Sequence, residues 1–334
     1  MNTCTGVSAL RRRVQRMGLM ALAAMGLVCA SGAMAQAWPA KPVRIIVAVA
    51  PGGPTDLLAR AIGPKLTEAW GQQITVENRP GAGQVIGTGV VAHAAPDGYT
   101  LLMTTNVFPV NTFLYPKLPY DPKKDFAPVT LVLESSLVLV VHPSVPATSL
   151  KELIAYARAN PGKLNFGSSG PSSSLRFAVE LLKSSAGIDM IHVPFNGTGP
   201  LTTALIGGTV QLAVASMQAP KQHIDAGRLR ALATTGAQRS PIMPEVPTMA
   251  EAGLPGYSAG SWFGLLAPAA TPAAIINKVQ TDVAATLKTP EIARIVRSLD
   301  GVAIGNTPAQ FAAYIDAEAS KWGKIIKDYN ITAE

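Results

Sequence analysis

A short apolar run, a turn rich in Gly, Ser or Thr, and then apolar residues at helical spacing follow one another repeatedly along this chain. Each unit predicts a strand, a turn and a helix, and their repetition predicts an α/β protein with largely parallel sheets. Val43–Val49 is the first buried strand. The segment from Thr55 to Ala69 sets Leu57, Leu58, Ala61, Ile62 and Leu66 on one side of a helix, with a kink possible at Gly63-Pro64. Ile74–Glu77 and Thr100–Thr104 are the next strands, and the apolar stretch Val129–Val141 reads as two strands or one bent strand.

A second series starts at Ser149-Leu150-Lys151-Glu152, a capping box that opens a helix ending at Asn160-Pro161-Gly162. Strands are expected at Leu164–Phe166, Met190–Val193, Val210–Ala215 and Leu229–Thr234, with helices over Ser173–Ser185 and Pro200–Ile206. After a loop over Ser240–Pro255, the strand Trp262–Ala267 leads to three C-terminal helices. Two of these open on Thr then Pro, at Thr271-Pro272 and Thr307-Pro308. Phe311, Tyr314, Ile315, Trp322, Ile325 and Ile326 form a stripe read as core packing. The two halves echo each other, which predicts two similar lobes with a cleft between them. The strand Trp262–Ala267 has no partner strand after it, so it is expected to return to the first lobe. The expected division is residues 36–140 with 257–334 in lobe one and 141–256 in lobe two.

The first 35 residues have a different character. Arg11, Arg12, Arg13 and Arg16 precede an apolar run from Met17 to Ala30 and the small-residue triplet Ala33-Met34-Ala35. That is the layout of a secretory signal peptide, with the mature chain starting at Gln36, and the run is short for a membrane span. Val14-Gln15-Arg16 favours ordinary secretion over the twin-arginine route. Both cysteines, Cys4 and Cys29, fall in this leader, so thiol chemistry, cysteine metal sites and disulfides are excluded from the mature protein. Removing four arginines takes 28 basic residues to 24 against 20 acidic ones, a formal +4 instead of +8. That mild excess suits small anionic ligands and falls short of a nucleic-acid footprint. An exported, soluble, monomeric periplasmic protein is expected.

Three loops of the first half end strands and begin helices. Pro51-Gly52-Gly53-Pro54-Thr55-Asp56 follows the first strand, Asn78-Arg79-Pro80-Gly81-Ala82-Gly83 the second, and Thr104-Thr105-Asn106 the third. Backbone N–H groups at a helix N-terminus make an anion site, and ligands of open α/β sheets sit at the carboxyl ends of strands. The second half offers Phe166-Gly167-Ser168-Ser169-Gly170, Ser172-Ser173-Ser174, Pro194-Phe195-Asn196-Gly197-Thr198-Gly199 and Ser216 in matching places. The candidate pocket is Gly52, Gly53, Thr55, Asp56, Gly81, Ala82, Asn106, Ser168, Ser169, Ser173, Asn196, Thr198 and Ser216. Ordinary turn chemistry is the plainer reading of each loop taken singly. Asp56 either caps its helix, orients loop amides, or accepts from a ligand nitrogen.

The same segments carry a resemblance. Lys41-Pro42-Val43-Arg44-Ile45-Ile46-Val47 with Pro51–Asp56, Glu77–Gly83, Tyr120-Asp121-Pro122 with Lys124-Asp125-Phe126, and Gly167–Gly170 resemble the substrate-binding proteins of tripartite tricarboxylate transporters, the Bug family. So do His192-Val193-Pro194-Phe195, Ala226–Ala233, and Pro247-Thr248 with Ala250–Gly253. The resemblance spans essentially the whole mature chain. It implies a two-lobed periplasmic-binding fold of type II-like form. It also implies a carboxylate in the interlobe cleft, held by backbone amides, hydroxyls and water, and delivery to membrane permease subunits. Three positions depart from the family's usual pattern: Asn196 stands where Lys is common, Ser172 where Gly is common, and Arg176 where His is common. Arg176 either meets a distal carboxylate or makes a surface or lobe-internal ion pair.

Catalysis finds no support. His93, His142, His192 and His223 lie in no metal-ligand spacing, Gly167–Gly170 is not a nucleophile elbow, and Gly81–Gly87 misses the dinucleotide fingerprint by one residue. No cofactor and no metal is expected. The alternative to transport is a periplasmic sensor that docks on a two-component sensor kinase, which needs the same liganded shape.

Overall fold

The computed structural model describes residues 38–257, 259–328 and 331–332. The leader and its cleavage point fall outside them. From Lys41 onward the chain builds two β-sheets, of six and five strands, with helices packed on both. β1 (Val43–Val47), β2 (Ile74–Asn78) and β3 (Thr100–Thr105) run parallel, linked by α1 (Pro54–Trp70) and α2 (Val85–Ala92), and α3 (Val107–Leu114) follows β3. α1 starts with Pro54 in the first turn, where a missing N–H costs nothing. It buries Leu58, Ile62 and Leu66, each four residues apart, and stops at Gly71, whose φ of 63° lets its N–H close on Thr67 O.

β4 (Phe126–Ser135) ends in the first sheet and β5 (Leu137–Val141) begins in the second, so the long apolar run is two strands parted at Ser136. β6 (Asn165–Ser168), β7 (Ile191–Pro194), β8 (Leu212–Ser216) and β9 (Arg230–Thr234) complete the second sheet, in the order β7-β6-β8-β5-β9. Its helices are α4 (Leu150–Ala159), α5 (Ser174–Ala186), α6 (Thr198–Ile206) and α7 (Gln218–Asp225). β10 (Ser261–Pro268) then returns to the first sheet between β3 and β4, and β11 (Gly301–Ala303) edges it beyond β4. The chain therefore changes sheet at Ser136 and again between Thr234 and Ser261.

Largely parallel sheets were expected, and both are mixed. β10 lies antiparallel to β3 and β4, β11 to β4, and β5 to β8 and β9. β5 and β10 each follow a crossing where no helix intervenes to restore direction, whereas β11 joins the edge after a helix.

α8 (Ala273–Leu287), α9 (Pro290–Ser298) and α10 (Pro308–Asp328) close the chain. Thr307 caps α10 as expected, with its hydroxyl taking Gln310 N–H at 3.3 Å. Thr271 does not cap α8. Pro272 occupies that place and Thr271 Oγ1 is buried without a partner among the described residues. The capping box of α4 is shifted by one: Ser149 Oγ takes Glu152 N–H, while the Glu152 carboxylate takes the N–H of Thr148.

Each sheet has its own core. Ile46, Leu102, Phe108, Trp262, Leu266 and Phe311 pack together in the first, and Leu139, Phe166, Phe177, Leu182 and Val214 in the second. α10 belongs to both. Phe311 and Tyr314 stand edge-on to Trp262 at 5.6 and 5.9 Å, whereas Trp322 lies 5.7 Å from Phe177 and joins the second core with Ile326.

Candidate functional site

The carboxyl ends of β1 and β2 carry two loops of the first lobe, and those of β6 and β7 carry two of the second. They meet. The Cβ position of Gly53 lies 3.7 Å from Thr198 Oγ1, and that of Gly197 lies 3.8 Å from Ala50 Cβ. A Cβ on Gly83 would fall 2.3 Å from Ser172 Oγ and 2.6 Å from Tyr115 Oη. Tyr115 and Ser172 are themselves hydrogen-bonded across the lobes at 3.1 Å. Ser174 Oγ bonds Ser261 Oγ at 3.0 Å in the same region.

Gly53 is the N-cap of α1 and Gly197 that of α6. Neither helix start has a side-chain cap; with Pro54 and Pro200 lacking an N–H, the uncapped first-turn donors at the point where the lobes touch are Thr55 and Asp56 in α1 and Thr198 and Gly199 in α6. α2 also starts without a side-chain cap. It is preceded by four successive residues of positive φ: Gly81 at 130°, Ala82 at 46°, Gly83 at 57° and Gln84 at 74°. This left-handed run leaves Gly81 and Ala82 exposed and turns Gln84 inward, where its amide donates to Thr105 Oγ1 at 2.9 Å.

Asp56 is buried and faces its own lobe. Its Oδ2 takes Gly52 N–H, and its Oδ1 takes Arg60 Nε and Asn78 Nδ2, all at 3.0 Å. Asn78 also donates to Val49 O at 3.1 Å, tying the first loop to the end of β2. Burial works to raise the Asp56 pKa, but the Gly52 N–H, Arg60 and Asn78 outweigh it and hold the carboxyl below its ordinary value. These bonds tie the Asp56 carboxylate to the first loop through Gly52 N–H and to Arg60 and Asn78. Gly52 spends its N–H on that bond, and Thr55 lies buried beside it.

In the second lobe Ser168 is fully buried. Its hydroxyl donates to Gly170 O at 2.8 Å, which leaves Oγ to accept from His192 Nε2 at 2.7 Å and from Gly170 N–H at 3.3 Å. Burial first, then the charges of Arg176 and Lys183, lower the His192 pKa to about 4, so the ring is neutral at physiological pH. Ser169 offers its carbonyl to Gly197 N–H at 3.2 Å, and Ser173 caps α5 by accepting Arg176 N–H. Asn196 is exposed beside Gly197. Asn106 and Ser216 stand apart on the crossing side. Asn106 stands at the N-cap position of α3 without a side-chain capping bond and donates to Gly260 O at 3.5 Å, while Ser216 pairs with Leu137 in the sheet. Arg176 is buried, bonded to Pro171 O at 2.8 Å and Glu180 in its own half and to Thr332 O of the C-terminal segment. Asn78, Gln84 and Tyr115 are absent from the sequence-derived set. Asn78 stands in a quoted motif, whereas Gln84 and Tyr115 leave no signal without the fold.

The family description "Tripartite tricarboxylate transporter family receptor" matches residues 58–331. The chain belongs to that receptor family. Among similar receptors, BugT of Bordetella pertussis is 35% identical over 314 residues, covering 92% of this chain and 96% of its own. A solved structure of Rpa4515 from R. palustris with adipate has 36% identity and a TM-score of 0.84, covering 88% of this chain and 99% of that one. MatC from Rhodopseudomonas palustris with bound malate has 33% identity and a TM-score of 0.81, covering 86% and 100%. This places the two-lobed fold among receptors that bind substrate and not among enzymes.

Proposed function

We propose that this receptor captures a small carboxylate in the cleft between its lobes, in the periplasm, and delivers it to the membrane permease subunits of a tripartite tricarboxylate-type transporter. The observation that carries the reading is the meeting of the α1 and α6 N-termini, neither closed by a side-chain cap. Two helix starts at one place, each favouring an anion by about 0.3–1 kcal/mol, make a site for negative charge that needs no cationic side chain. The bound adipate and malate of the two solved receptors support the ligand class. We take the lobes that close on it as those built on the two sheets, with the first boundary at Ser136 instead of residue 140, and the hinges at the two changes of sheet. The protein acts as a monomer, after loss of the leader. Carboxylate contact falls to the N–H groups at the two helix starts, with Thr198 beside them and Asp56 holding the first loop in place.

A thermal-shift screen of the mature protein against mono-, di- and tricarboxylates tests this. A ligand near a hundred times its dissociation constant adds about 2.7 kcal/mol, on the order of 5 °C for a chain of this size. A melting temperature unmoved by every carboxylate, but raised by a neutral or cationic solute, would reject the reading.

A further inference from the structure

A groove of about 370 Å³ runs from Gly52 and Thr198, where the lobes touch, along α6 to α7. Its walls change character with distance. At the near end stand the α6 N-terminal amides, with Thr198 and Gly199. Farther along, Thr202 and Thr203 donate their hydroxyl protons to Thr198 O and Gly199 O, so their oxygens are left as acceptors. At the far end lie Gln222 and His223, on the last turns of α7. His223 Nδ1 is buried with no hydrogen-bond partner among the described residues.

This end offers a second negative charge no Lys or Arg among the described lining residues. His223 lies in the last turn of α7, where the helix carries its partial negative pole, and Asp225 follows two residues later. Lys221, the nearest cation on that helix, is committed to Asp225 at 2.8 Å. An apolar tail would leave the buried His223 nitrogen without a partner, at the cost that unpaired polar groups carry, and would forgo the exposed Gln222 amide beside it. The complement of this end is an uncharged group that both donates and accepts.

Resting on the carboxylate reading above, we propose that the groove binds the distal end of an elongated ligand, and that this end is an uncharged hydrogen-bonding group, a hydroxyl or a carboxamide. Gln222 and His223 are the residues that select it. The ligand class is then an ω-hydroxy or ω-carbamoyl monocarboxylic acid in preference to a dicarboxylic acid.

Calorimetry on the mature protein with hexanoate, ω-hydroxyhexanoate, adipamate and adipate tests this directly. The hydroxy acid and the monoamide should each bind about fivefold or more tighter than hexanoate, with adipate no tighter than hexanoate. A Gln222→Leu, His223→Leu double variant should bring hexanoate, the hydroxy acid and the monoamide level. If it does not fold, Gln222→Leu alone, at an exposed position, should at least halve the advantage. Adipate as the tightest binder, or an advantage that survives the variants, would overturn the distal-end assignment and leave the carboxylate site standing. Binding of none of the acids would overturn both.

Discussion

Asp56 puts a carboxylate within a loop proposed to hold an anion, and its bonds explain why the two are compatible. Both oxygens are engaged within the first lobe by Gly52, Arg60 and Asn78. Asp56→Ala should therefore destabilise the fold by about 1–3 kcal/mol, measured by chemical denaturation, because the part-buried bonds from Gly52 N–H and the Asn78 amide lose their charged acceptor. It should also weaken carboxylate binding. Tighter binding by the variant would mean that repulsion by Asp56 outweighs its hold on the loop. His192 gives a pH signature. Its pKa falls to about 4 in the fold, against about 6.5 unfolded, so between these values the unfolded chain holds more protons. Stability should thus fall as pH drops from about 6.5 to about 4, by roughly 3 kcal/mol at most, and this source should add nothing below that. In His192→Gln the slope across that window should flatten; an unchanged melting temperature profile would contradict this. At this scale the sequence exposes residue types at strand ends but not their direction. Ser168 reads as a ligand hydroxyl and lies inside, bonded to His192, while Tyr115 sits in no motif and reaches across the cleft.

The loop ahead of α2 is one element where the lobes approach closely. Gly83, at φ 57°, leaves room for Ser172 and Tyr115 that any side chain would fill. Gly83→Ala should weaken ligand binding about tenfold by forcing the lobes apart, through strain of about 1–2 kcal/mol. Adding Ser172→Gly, which removes the hydroxyl nearest the new Cβ, should recover part of that loss. No recovery in calorimetry would show that the Gly83–Ser172 approach does not govern closure. In the wild-type background Ser172→Gly removes the Tyr115 bond, so ligand should leave a few-fold faster in stopped-flow displacement. Elements with strong periodicity, such as α1, α4, α5 and the stripe on α10, were legible from sequence. α2, α3 and α7 were not, because each is eight residues long and follows a turn whose Gly, Thr or Met chemistry masks the helix start.

The whole molecule is held across its hinge by α10 as well as by the two crossings. Trp322 and Ile326 seat its second half in the core of the five-stranded sheet, while Phe311 anchors its first half against Trp262. Trp322→Ala should cost about 3–5 kcal/mol and split a single calorimetric transition in two, the second lobe melting first. One cooperative transition at a lowered temperature would show that the lobes do not depend on this helix for coupling. Two lobes could be read from the echo between halves. Mixed strand direction could not, since apolar runs carry no sign of parallel or antiparallel pairing. The central claim is that the cleft selects negative charge through helix N-termini and not through cationic side chains. Calorimetry on a carboxylate that binds and on its primary amide, at low and moderate salt, tests it most directly. Charged acceptors form hydrogen bonds about twice as strong as neutral ones, so the acid should bind at least about tenfold tighter, by a margin that narrows as salt rises. Equal affinities for the acid and its amide would contradict it.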